Sequence, residues 1–110
     1  MKIPGGDNPI IDDRKLRSYC LDPTHPQGIH KARLFETIVG ITLANRSVLL
    51  DALLIAAKSD QAIEGKSDQY GDRYSVDFEF AGPKGNALIR AVWMVHRGES
   101  RPRLITCYIL

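Results

Sequence analysis

The chain has 110 residues, 44% of them hydrophobic and 25% charged, with a formal net charge of +2 and a pI of about 8.6. That composition excludes a disordered, collagen-like or coiled-coil chain and fits one domain, residues 1–110, able to bury its own core. The mild basicity is by itself only a weak pointer to nucleic acid.

No apolar run approaches the about 20 residues of a membrane span. The start, Met1-Lys2-Ile3-Pro4-Gly5-Gly6, lacks the apolar stretch of a secretory leader. A cytoplasmic protein with no membrane partner is expected. Residues 1–9, punctuated by Pro4, Gly5, Gly6 and Pro9, predict an extended lead-in. Asp12 or Asp13 then caps a short helix through about Cys20, because a carboxylate accepts the free backbone N–H groups of a first turn. Asp22 to Gly28, with two prolines and a glycine, predicts a loop.

A second helix is expected from about Ile29 to Val39, with Ile29, Ala32, Phe35 (or Glu36) and Val39 at helical spacing and Gly40 as its stop. Asn45 is placed to cap a third, from Arg46 to about Lys58, whose apolar stripe is Val48, Leu49, Ala52, Leu53, Ala56 and Ala57. Beyond residue 60 the period falls to 2. Tyr74, Val76, Phe78 and Phe80 alternate with Ser75, Asp77 and Glu79, as in a strand with one wet face. Ala87 to His96 is apolar on nearly both faces, which places it centrally, and Arg103 to Leu110 forms a further strand. Tight turns at Gly82-Pro83-Lys84-Gly85 and Gly98 to Pro102 imply an antiparallel meander. A weaker strand near Ala62 to Lys66 completes it. The fold class is α+β: two to three N-terminal helices packed on a three- to four-stranded antiparallel sheet.

Three places could carry chemistry. The first is His30, Lys31 and Arg33 at the start of the second helix, where the macrodipole disfavours cations and an anion such as phosphate would offset the cost. A solvated basic turn is the competing reading. The second is the last strand: a strict period of 2 sets Leu104, Thr106, Tyr108 and Leu110 on one face and Arg103, Ile105, Cys107 and Ile109 on the other. Thr106 and Tyr108 are then neighbours able to bind a phosphate, although both types are favoured in strands anyway. The third is Arg90 within the apolar central strand. It either pairs with Asp77 or Glu79 on the facing strand or opens onto a site. Arg73, Arg101 and His96 lie near turns and are expected in solvent, and Trp93 in the core.

His25, His30 and His96 are far apart, and neither HxH, HExxH nor DxD occurs, so no metal site is expected. Cys20 and Cys107 belong to no CxxC and read as two buried reduced thiols; nothing in the spacing demands a disulfide. GxGxxG, P-loop and GxSxG are absent, which leaves nucleotide-dependent and serine-hydrolase chemistry without support, and no cofactor is expected.

Lys15-Leu16-Arg17-Ser18-Tyr19-Cys20-Leu21, His25-Pro26-Gln27-Gly28-Ile29-His30-Lys31-Ala32-Arg33-Leu34-Phe35, Tyr70-Gly71, Val92-Trp93 and Pro102-Arg103-Leu104-Ile105-Thr106-Cys107-Tyr108 together resemble an uncharacterised bacterial domain family with the pattern KLxxYLL…HPxGxHKAxxF…VW…PRLxTxY. The resemblance runs over almost the whole chain. Its layout is similar to the barnase/EndoU/colicin/RelE-like ribonucleases of bacterial toxin systems, many of which carry a His-Lys pair on an early helix and a Thr or Tyr on a late strand. That resemblance implies a metal-independent ribonuclease with His30, Lys31 and Thr106 catalytic and Arg33, Arg90, Arg103 and Tyr108 binding substrate. Its partners would be RNA, such as tRNA or mRNA, and a small antitoxin or immunity protein. The rival expectation is a non-catalytic module that binds protein or nucleic acid.

Overall fold

The change of hydrophobic period after residue 60 marks the passage from helices to sheet. A computed structural model describes residues 1–21, 24 and 29–110, with the backbone alone at Ser18, Tyr19, Ile29 and His30. Apart from Thr24, the loop expected at residues 22–28 lies outside the described residues.

Helix α1 is one α-helical turn, Asp13–Lys15, running into a wider π-helical segment, Leu16–Cys20. Asp12 caps it by accepting from the Arg14 backbone N–H at 3.0 Å. The wide turn closes through the Leu21 N–H, which donates to the Leu16 carbonyl five residues back at 2.9 Å. Helix α2 is built the same way, α-helical over Ile29–Leu34 and π-helical over Phe35–Val39. It ends where Gly40 takes a left-handed φ of 75°, so that its N–H and that of Ile41 turn back onto the Glu36 and Phe35 carbonyls.

Helix α3 spans Arg46–Ala56 after a 3-10 turn, Leu43–Asn45. The Asn45 side chain does not cap α3 as the sequence predicts. It serves the turn before it, accepting from the Thr42 N–H at 2.8 Å and donating to the Gly40 carbonyl at 2.9 Å. An amide that can both accept and donate finds two partners there, whereas a cap would use only its oxygen.

The strands are β1, Ile63–Ser67, β2, Gly71–Ala81, β3, Asn86–His96, and β4, Arg103–Ile109. They form one antiparallel sheet in the order β1-β2-β3-β4, so the doubly apolar β3 is interior as expected. The lead-in lies along the outer edge of β4. There the Ile10 N–H donates to the Pro102 carbonyl and the Ile10 carbonyl accepts from the Leu104 N–H.

The core lies between the helices and one sheet face. Leu16, Cys20, Phe35, Val39, Leu49 and Leu53 meet Val76, Ile89, Ala91, Trp93, Leu104 and Cys107. Each large apolar side chain fully buried there contributes about 1.5–3 kcal/mol. The α3 stripe is narrower than expected: Leu49, Leu53, Ala56 and Ala57 are buried, whereas Val48 faces outward. No single described helix is long and apolar enough to cross a bilayer.

In β4 the expected parity fails. Trp93 pairs with Leu104 and Val92 with Thr106, a step that leaves Ile105 as an extra residue. This bulge turns both Leu104 and Cys107 into the core, although they lie three apart. Thr106 and Tyr108 keep their kinship, pairing with the alternate residues Val92 and Arg90.

Candidate functional site

Strand pairing builds the site. Asp77 on β2, Arg90 on β3 and Tyr108 on β4 occupy one transverse row. Their side chains rise from the sheet face opposite the core, since Val76, Ile89, Ala91 and Cys107 beside them are buried. Arg90 grips Asp77 through two parallel bonds, Nε to Oδ1 at 2.7 Å and Nη2 to Oδ2 at 2.9 Å. Of the two pairings open to it in the sequence, the structure selects Asp77 over Glu79. The guanidinium beside Asp77 holds that carboxyl below its usual range. Arg90 is in turn held more firmly charged, by Asp77 first and then by the Tyr108 phenol. The row is half-exposed, so Arg90 is not a buried charge.

Helix α2 brings a second cation to the end of this row. Lys31 Nζ donates to Thr106 Oγ1 at 3.0 Å and stands 5.5 Å from the centre of the Tyr108 ring. Both contacts fit an ammonium, which has three donors and is attracted to the face of a phenol ring. Among the described residues Lys31 pairs with no carboxylate. Lys31, Thr106, Tyr108 and Arg90 thus converge, with Asp77 as the anchor of Arg90.

The remaining expected residues lie elsewhere or outside what is described. His30 precedes Lys31 in the first turn of α2, and its side chain lies outside the described residues. Arg33 is exposed, two residues and about 200° around the helix from Lys31. Arg103 opens the opposite end of β4 and pairs with Glu99 at 2.9 Å. Arg73 is half-buried and binds Asp68 at 3.0 Å, whereas Arg101 is exposed as expected and also donates to the carbonyls of Asn8 and Pro9. His96 packs its Nδ1 3.5 Å from Glu99 and lines a cavity of about 250 Å³ with Asp12, Lys15 and Arg103. Asp12 in that cavity is already bound by Arg14 and Arg103 by Glu99.

The sequence reading missed Cys20 as a neighbour of the site. Cys107 Sγ donates to Cys20 Sγ across 3.6 Å in the core. That bond, with the charge of Lys31 and a hydrogen bond from Thr106, outweighs burial and brings the Cys20 thiol down to about 7. Cys107 moves well up, because it shares its proton with Cys20 and is itself buried. Both cysteines fall at core positions in the sequence. Their meeting depends on how α1 lies along β4, which no local pattern states. Among the described residues no three His, Cys, Asp or Glu side chains converge as metal ligands would.

The family model described as Domain of unknown function (DUF6883) matches residues 2–110. A solved structure titled as a contact-dependent growth inhibition toxin–immunity protein complex from Klebsiella pneumoniae 342 contains a chain of similar fold. The TM-score is 0.69 at 20% identity, over 92% of this chain and 99% of that one. A comparison with curated proteins gives no match.

Proposed function

The chain belongs to this DUF6883 family, whose function is unknown, and we propose that it is a toxin-type, metal-independent ribonuclease acting on tRNA or mRNA in the cytoplasm of the cell it inhibits. The observation that carries this reading is the Lys31–Thr106 bond beside Tyr108, with Arg90 at the end of the same row. RNA can cleave itself when the 2′-hydroxyl attacks the adjacent phosphorus: the O2′–P bond forms, the P–O5′ bond breaks, and the 2′-proton passes to a base while the leaving oxygen gains one. What a protein must supply is proton transfer and cations set where the phosphorane charge develops.

In this reading His30, one residue before Lys31, transfers the proton, since an imidazole titrates near neutral pH. Lys31 and Arg90 stabilise the developing charge. Thr106 and Tyr108 orient the phosphate by hydrogen bonding, and Arg33 and Arg103 bind the strand beyond the reacting position. The fold shared with a chain of a toxin–immunity complex supports the toxin role and a small immunity or antitoxin protein as partner.

The test is incubation of the purified protein with total RNA and with tRNA in EDTA, beside His30→Ala and Lys31→Ala. Cleavage by the wild type alone, leaving 2′,3′-cyclic phosphate ends, is expected. A folded wild type that cleaves nothing would move the protein to the alternative, a non-catalytic module whose basic face binds protein or nucleic acid. Binding that weakens steeply with salt would then separate nucleic acid from protein as the ligand.

A further inference from the structure

We propose that Cys20 and Cys107 form a redox site, a reversible disulfide that staples α1 to β4 directly behind the Lys31–Thr106 pair. The inference is independent of the ribonuclease reading. Its first support is proximity: two free cysteines, 87 positions apart in the chain, hold their sulfur atoms 3.6 Å apart. Core packing does not by itself require two thiols to meet; a pair of aliphatic side chains would fill the same space without a polar atom. Its second support is the asymmetry of the pair. Cys107 donates its proton toward Cys20, and the ammonium of Lys31 acts on the same sulfur. Such a pair has a built-in nucleophile, Cys20, and a built-in resolving thiol, Cys107.

The chemistry closes with a disulfide such as oxidised glutathione as the oxidant. The Cys20 thiolate attacks one of its sulfurs, forming a mixed disulfide and releasing one glutathione thiolate. Cys107 then loses its proton and attacks the Cys20 sulfur, forming the internal bond and releasing the second glutathione. Two electrons leave the protein and reduce one glutathione disulfide to two thiols. Cys20 is the last residue of α1 and is fully buried, so the oxidant would reach its sulfur through a local opening of that helix end.

Closure has two consequences. It links the first helix to the last strand and constrains an unfolded chain across most of its length, the arrangement in which a cross-link stabilises most. It also removes the thiolate from beside Lys31. A protein that passes from an oxidising to a reducing compartment would travel stapled and arrive open.

The folded wild type is incubated with oxidised glutathione, then analysed by intact mass and thermal melting, with and without dithiothreitol. The expected result is a protein lighter by two hydrogens, free of glutathione adduct, and melting about 10 °C or more higher. Dithiothreitol should restore the original mass and melting temperature. Cys107→Ala should stop at the glutathione adduct on Cys20, and Cys20→Ala should gain neither adduct nor cross-link. A wild type that keeps its mass, or that holds glutathione without closing, overturns the proposal. The wild-type measurement decides the matter even where a variant fails to fold.

Discussion

Lys31 and Thr106 stand 75 positions apart and meet at 3.0 Å, an early helix against the last strand. The contact is half-buried and polar, and the core beside it is formed by other residues. It should therefore matter more to function than to folding. Lys31→Met keeps the length of the side chain and removes the charge; Thr106→Val keeps the β-branch and removes the oxygen. Each should lower RNA cleavage by about 100-fold, and circular dichroism melts should move by only a few degrees. A variant that loses its fold together with its activity would show the pair to be structural.

Asp77 tests whether Arg90 needs to be held. The pair is bidentate but half-exposed, and exposed pairs contribute about 0–1 kcal/mol. Asp77→Asn should leave the melting temperature nearly unchanged. It should reduce kcat about tenfold by letting the guanidinium leave its place. Arg90→Lys with Asp77 intact should lower activity as well, since an ammonium cannot bridge both carboxylate oxygens.

Acid sensitivity should report the cap of α1. The Arg14 side chain, and then its backbone N–H, bring Asp12 from 3.8 to about 2. A carboxyl lowered on folding contributes stability above its unfolded value and loses it as the pH falls through its folded one. Urea midpoints of the wild type and Asp12→Asn should differ at neutral pH and converge between about pH 4 and pH 2. A gap that widens on acidification would refute the assignment.

At the start of β2, Gly71 has a φ of 156° and no room for a Cβ, which would run into the backbone carbonyl of Val95 on the neighbouring strand. Neither obstacle is a flexible side chain. Gly71→Ala should cost about 2 kcal/mol or more in chemical denaturation. By contrast, Gly98 also has a positive φ but meets nothing within 4 Å, and its alanine variant should cost less.

Much of this architecture is legible in the residues because burial writes its own period. The alternation from Tyr74 to Phe80 and the doubly apolar run from Ala87 to His96 give both the sheet and the interior place of β3. Lys31, Thr106, Tyr108 and Arg90, singled out by chemistry, are brought together by the fold. Local patterns do not reach what depends on register. The bulge at Ile105 adds one residue to β4 and turns Cys107 inward beside Leu104, against the strict alternation. Asn45 was a sound cap by type, yet a neighbouring turn offered it two bonds instead of one. The choice of Asp77 over Glu79 by Arg90 needs the hairpin register, and the approach of Cys20 to Cys107 needs the packing of α1 on β4.

The wide second half of α2 works as a vernier. Phe35 and Val39 are both buried, and Lys31, four residues before Phe35, must reach Thr106. Two successive steps of four residues overshoot two full turns of an ordinary helix by about 80°, so a uniform α2 would spread these three residues across most of the width of its apolar stripe. A π-helical turn takes up more residues, and placing it at Phe35–Val39 absorbs the excess. Shortening that turn by one residue would leave a good helix and an intact apolar stripe. It would still swing Lys31 out of line with β4, in a chain that keeps its fold and loses the Lys31–Thr106 contact.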